Sequence, residues 1–344
     1  MGPSEYSIDQ DLVEVKADPA LRLFEEGLPE AAPERSWLHR HSKGVSVAFA
    51  LAVTAALVVG LYDKRQDFAD SLGSASALVL LGAVALQIVW LILRSEAWHV
   101  CVEAAGGSCG RRPLYRAAAI GYIGNLLNNN FGLALRISEL RRTAPAEAPR
   151  AGALVAAEMP IVVIEIGLAA ICSFTLIGPL GIPWWLPVIG LGLAAAIAAG
   201  VSRLAHKKRK GFWSGLSVLR GLRHANLIIA LTAFATLAQV FRNWLVFEGI
   251  GVDISFLNAI ALLVASAAIG LLPVGPSLGV TSSVLILGSK GVAAVAAAGA
   301  LLTATGAVGA LCFASWSLAD RVRGRRRKGD AAEAQPRPAA PPNP

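Results

Sequence analysis

Charge is scarce in this chain. Only 16% of its 344 residues are Asp, Glu, Lys or Arg, and 55% are hydrophobic. A soluble domain of this size carries about 25% charged residues over its surface, so an ordinary water-facing exterior is excluded. Alternation of apolar and polar residues every second position is also missing, which rules out a membrane β-barrel. Cysteine is limited to four residues (Cys101, Cys109, Cys172 and Cys312), and none has metal-ligand spacing. Cys172 and Cys312 lie in apolar runs and read as small core residues. Cys101 and Cys109 fall on the expected cytoplasmic side, where thiols stay reduced. No glycine-rich loop ending in Lys-Ser/Thr is present, so ATP hydrolysis is not expected. No His-Glu-x-x-His occurs and no Ser-His-Asp set is readable. The expectation is therefore no catalytic residue, no metal and no cofactor. The net charge of +8 resides in loops and tail, where the positive-inside rule places it, and does not suggest nucleic acid.

What the chain does have is length in its apolar runs: Val45–Tyr62, Leu72–Leu93, Ala151–Ile177, Trp184–Val201, Ala225–Phe247, Ile254–Leu272 and Val292–Leu318. About 20 apolar residues in a helix cross about 30 Å of hydrocarbon. These runs predict an all-α polytopic membrane protein. Residues 1–34 carry nine acids and two bases, unlike a cleavable signal peptide, and the first run is expected to act as an uncleaved anchor. Residues 1–42 read as an acidic cytoplasmic segment, 43–320 as the membrane domain, and 321–344 as a basic, then Pro/Ala-rich, disordered cytoplasmic tail.

Two hydrophobic stretches are too interrupted for plain spans. In Ala117–Leu135, three glycines and Asn125, Asn128, Asn129 and Asn130 break the apolar pattern, with arginines on both flanks (Arg111, Arg112 and Arg116 before it; Arg136, Arg141 and Arg142 after it). Both flanks prefer the cytoplasm, which a re-entrant hairpin satisfies. In Ile254–Leu287, the sequence Leu272-Pro273-Val274-Gly275-Pro276-Ser277-Leu278-Gly279 does the same from the outer face. The loop 203–223, with seven Lys or Arg and no acid, fixes the inside. The count becomes about six full transmembrane helices plus two re-entrant helical hairpins, both termini inside. Hairpins that dip from opposite faces in corresponding halves are the arrangement of an inverted repeat, and such interrupted segments point to a transport site.

The candidate substrate-binding residues gather at these breaks. Arg136, Glu139 and Arg142 recur every third residue on one helical face, with Arg141 beside them. Guanidinium groups grip phosphate through paired hydrogen bonds, and a carboxylate can hold one in place; the plainer alternative is a positive-inside marker with a surface ion pair. Asn125 and Asn129 would share a helical face and line a hydrated pocket, or else cap broken half-helices. Glu158 and Glu165 lie seven apart in one span, where an unpaired carboxylate costs on the order of 2.5–3.5 kcal/mol. Both are expected to face protein or water, to pair with arginine or to titrate, and Pro160 between them permits a kink. Arg242, with Gln239 and Asn243, forms a polar patch in the second half; Arg242 either snorkels to the outer surface or pairs with a membrane carboxylate. Ser277 and Gly279 would open a half-helix whose amides aim at a phosphate, or else belong to a structural turn.

The order of these pieces resembles the lysylphosphatidylglycerol synthase transmembrane family, the flippase-like UPF0104 membrane domain. Trp98 after the second span, Gly124-Asn125 through Arg136 and Glu139, and the Pro-Gly break at 272–279 carry the resemblance, over roughly residues 45–320. Departures are clear. Glu158 is followed by Met159 where the family often has Glu-Arg, Gly275-Pro276-Ser277 replaces its Pro-Gly-Gly, and Thr281 or Ser282 stands where a Glu commonly follows. The soluble aminoacyl-transferase domain of some members has no counterpart here. The resemblance therefore implies lipid translocation rather than lysyl transfer. The expected partners are an anionic phospholipid or polyprenyl-linked substrate, with membrane lipids around it and a homo-oligomer or an enzyme partner left open. The expected setting is a bacterial cytoplasmic membrane. A non-transporting scaffold for a lipid-modifying or glycosyltransferase enzyme, and an integral membrane enzyme acting on polyprenyl phosphate, are the competing readings.

Overall fold

The computed structural model describes residues 59, 62, 64–127, 129–207, 211–269 and 278–333. The described residues are helical, with no strand among them: α1 (Arg65–Gly73), α2 (Ala77–Ala104), α3 (Arg111–Leu127), α4 (Asn129–Thr143), α5 (Ala151–Ala156), α6 (Met159–Cys172), α7 (Ile177–Leu180), α8 (Trp185–Lys207), α9 (Leu222–Gly249), α10 (Phe256–Ile269), α11 (Leu278–Leu287) and α12 (Val292–Glu333). Short 3-10 segments at Ser173–Leu176, Gly211–Arg220 and Gly288–Lys290 join them.

Among the described residues, five stretches are long and apolar enough to cross a membrane: Ala77–Ala104, Ala151–Leu176, Trp185–Lys207, Arg223–Gly249 and Val292–Arg323. The expected first span, Val45–Tyr62, lies almost entirely outside the described residues. Large apolar side chains such as Leu78, Ile189, Leu193, Phe234 and Leu257 point outward. In water that surface would be an aggregation liability; in a bilayer it is the lipid-facing side of a helical bundle. α9 lies along α2, α12 packs against both, α10 packs on α9, and α11 packs between α10 and α12. One core gathers Phe247, Ile254, Leu262 and Val295. A second gathers Trp98, Cys101, Leu114, Leu140 and Leu154.

The helices differ from the sequence reading in four places. Arg94 does not end the second span. α2 runs on to Ala104, because Ser95, Ala97, Trp98 and Val100 to Val102 bury against α3 to α5 instead of facing water. The third long run is broken at Ala157 and Glu158, so α6 restarts at Met159 with Pro160 in its first turn. Proline has no N–H to give the preceding turn, and a helix start is where that absence costs least. The basic loop 203–223 is not simply solvated: its 3-10 segment buries Leu216 and Val218 beside α5. Finally, α12 continues as helix through Glu333, past Gly329, where the expected Pro/Ala-rich tail begins; 334–344 and the acidic segment 1–42 lie outside the described residues.

α3 and α4 form a tight helical pair. A Cβ on Gly132 would stand 1.7 Å from Asn125 Oδ1 and 2.5 Å from the Gly121 carbonyl oxygen, so the glycines here allow two backbones to touch. Asn125 and Asn129 consequently do not share one helical face: Asn125 is exposed near the end of α3 and Asn129 opens α4. In the second half, α10 and α11 pack together, and Ser266 Oγ donates to Ser282 Oγ at 2.9 Å. The intervening Pro-Gly break, including Ser277, lies outside the described residues; Gly279 sits in the first turn of α11.

Candidate functional site

α2, α4 and the broken span α5–α6 meet around Glu158. Its two carboxylate oxygens accept from different arginines: Arg94 Nη2 donates to Oε1 at 2.6 Å, and Arg136 Nη2 to Oε2 at 2.6 Å. Arg94 Nη1 also donates to Glu165 Oε1. The seven-residue spacing that places Glu158 and Glu165 on one face thus serves a single guanidinium, and the break at Glu158 turns its carboxylate toward α4. The Arg136 guanidinium lies over the Trp98 ring, 3.9 Å from the centroid, a cation–π contact out of water. Tyr122 on α3 closes one wall, with its hydroxyl 3.4 Å from Ser95 Oγ.

Burial grades these groups. The Arg94 and Glu158 side chains are 13% and 14% exposed, whereas Glu165 is 38% exposed. Buried ions persist when paired and hydrogen-bonded, and the two arginines and two carboxylates balance in charge. The hydrogen bonding does not balance: Arg136 Nε and Trp98 Nε1 are buried donors without a partner. Each such orphan costs about 1–3 kcal/mol. Both lie at the Arg136–Trp98 contact, and each lacks the acceptor that a water, a carbonyl or a phosphate oxygen would supply.

The expected stripe of Arg136, Glu139 and Arg142 is divided between two groups. Arg136 turns to Glu158 and Trp98. Glu139 pairs with Arg142 at 3.1 Å and with Arg321 of α12, and Arg116 Nε donates to Asp320 Oδ2 at 2.7 Å. This outlying network ties α12 to the α3–α4 pair. Arg141 is exposed and makes no ion pair among the described residues.

Among the described residues, Arg242 meets no carboxylate. Its Nη1 donates to Gln87 Oε1 at 2.7 Å and to Gln239 Oε1 at 2.9 Å, and its Nη2 to the Leu302 carbonyl and to Thr305 Oγ1 at 3.2 Å. The guanidinium is buried, 7% exposed, so it does not snorkel to the surface. Gly309 makes room for Gln87, since a Cβ there would stand 2.6 Å from Gln87 Cγ. Asn243 is buried one residue on, about 100° around the helix from Arg242. Arg242 and Asn243 therefore stand apart from the Glu158 cluster. Gly279 sits in the first turn of α11, and Ser277 lies outside the described residues.

Arg94 and Trp98 are the members missing from the sequence-derived site. Arg94 ends an apolar run and looks like a membrane-edge marker; only the continuation of α2 carries it inward. Its four-residue spacing to Trp98, which puts the two on one helical face, was the available signal.

A helical bundle with an apolar exterior and a buried cluster of arginine and glutamate defines a multi-pass integral membrane protein. The sequence model of the lysylphosphatidylglycerol synthase TM region matches residues 45–315, and the chain belongs to that family. No curated protein and no solved structure matches it.

Proposed function

We infer that this protein moves an anionic lipid, or a lipid-linked glycan, between the leaflets of a bacterial cytoplasmic membrane, with both termini in the cytoplasm and without ATP. One observation carries the reading: Arg136 of α4 and Trp98 offer unpartnered buried donors beside a second arginine, Arg94. A phosphate-bearing headgroup supplies the acceptors those donors lack. α3–α4 acts as a re-entrant hairpin and α10–α11 as its counterpart, the two halves forming an inverted repeat, and the headgroup passes between them. The driving force is an ion gradient, the membrane potential or the lipid's own gradient, with Glu158 or Glu165 carrying the proton if protons are used. The chain contributes binding and passage, not bond chemistry.

The test is reconstitution into vesicles with a fluorescent anionic phospholipid, reading the fraction protected from a membrane-impermeant quencher. The intact chain is expected to exchange the lipid between leaflets, and Arg136→Gln to lose that exchange. Deleting residues 1–40 and 325–344 is expected to spare it. No exchange by the intact chain, with loss of its function in cells on that deletion, favours a scaffold for a partner enzyme. A chemically modified lipid in the co-purified fraction, read by mass spectrometry, favours an enzyme.

A further inference from the structure

The charge balance of the Glu158 cluster constrains how an anion can enter it. Arg94 and Arg136 are both engaged by carboxylates, so neither is a free cation. A phosphate arriving there adds a negative charge to a cluster with no positive charge to spare, an unfavourable step at low dielectric. Entry requires one carboxylate to give up its arginine.

The two carboxylates are not equivalent. Glu158 uses both oxygens, one on each guanidinium, and is 14% exposed; Glu165 uses one oxygen on Arg94 alone and is 38% exposed. Glu165 is also the less firmly held of the two, with one ionic partner where Glu158 has two. The charged groups acting on it are Arg94 from α2, Glu158 from its own span and Arg136 from α4. Tyr122 from α3 faces the same two arginines. α8, α9 and α10 also pack against α6, and their charged residues, such as Arg203, Arg223 and Arg242, are not among the groups acting on Glu165.

We propose that Arg94 is the exchangeable anion ligand of this site, and that a phosphate-bearing headgroup binds by displacing Glu165 from Arg94 as Glu165 takes up one proton. The proton comes from the aqueous phase and ends on the Glu165 carboxylate. Arg94 Nη1 is thereby freed to donate to a phosphate oxygen, while Nη2 keeps its bond to Glu158. Each bound anion then carries one proton, and the cluster stays neutral. This rests on the lipid reading above and adds its stoichiometry.

Equilibrium binding of radiolabelled phosphatidylglycerol to the full chain in detergent, measured across pH, tests the exchange. Wild-type affinity is expected to rise about tenfold per unit fall in pH wherever Glu165 is ionised in the free protein, the signature of one coupled proton. Glu165→Gln is expected to bind at the wild-type low-pH affinity with that slope abolished. Arg94→Gln is expected to lose both affinity and slope, and Arg94→Lys to recover part of each. A slope unchanged in Glu165→Gln, or abolished by Glu158→Gln instead, overturns the exchange while leaving the lipid reading intact. Competition by inorganic phosphate at equal concentration leaves the exchange standing but assigns the site to a soluble anion. Absence of phosphatidylglycerol binding by every folded form at every pH overturns both.

Discussion

Replacing Glu158 with glutamine keeps its shape and removes its charge. Two contacts of 2.6 Å to different guanidinium groups lose their ionic character. Arg94 retains Glu165, but Arg136 is left with the Trp98 ring and no carboxylate, and its side chain is 7% exposed. Stranding a buried charge by removing its partner costs about 3–5 kcal/mol. Glu165→Gln breaks a single ionic contact, and Arg94 keeps Glu158, so no charge is stranded and a smaller cost is expected. Of two Glu→Gln changes in one span, the one at Glu158 is therefore the more destabilising. Reversible unfolding in mixed micelles measures the difference. A cycle with Arg136→Gln should return a coupling energy toward the upper end of about 0.5–3 kcal/mol. Equal destabilisation by the two changes, or a coupling indistinguishable from zero, would refute the bridge of Glu158 between α2 and α4.

Gly132→Ala should destabilise the α3–α4 pair by about 1–3 kcal/mol or prevent its packing, because the new Cβ meets the Gly121 carbonyl oxygen as well as the Asn125 side chain. Adding Asn125→Ala relieves only the second clash and should rescue only in part, as read by thermal melting in detergent. Gln87→Leu should cost more than Arg242→Met. The first leaves a buried guanidinium short of an acceptor, and the second removes the charge that needs it; unfolding of the two variants checks the order. Burial, with the Glu147 carboxylate adding to it, raises the Cys109 thiol above its ordinary range. Its thiolate fraction at neutral pH is correspondingly low. Maleimide labelling of a Cys109-only form should be slow at pH 7, quicken as pH rises, and become fast once the chain is unfolded.

The class of fold was written in the apolar runs. About 20 consecutive apolar residues have few other stable uses than crossing a bilayer, and five of the expected runs coincide with long apolar helices, although α2 and α12 run on well past their apolar stretches. The helical break ahead of Arg136 was legible for the same reason: asparagines and glycines interrupt an apolar pattern. The pairing of Glu158 and Glu165 on one face followed from helical period alone. What the sequence did not determine was which cation they meet. Arg94 lies 64 residues from Glu158, and Arg136 lies 22 from it. Ionic partners that far apart are chosen by how helices pack, and packing is decided by shape: where Gly132 lets α4 touch α3, and where α2 keeps burying side chains past its apolar run. Arg242 makes the same point in reverse. Composition suggested a carboxylate partner or escape to the surface, whereas the junction of α2, α9 and α12 supplies neutral oxygens close enough to hold the charge. The chain's letters settled that it lives in a membrane; only the tertiary structure decided which charges its interior balances and which donors it leaves open.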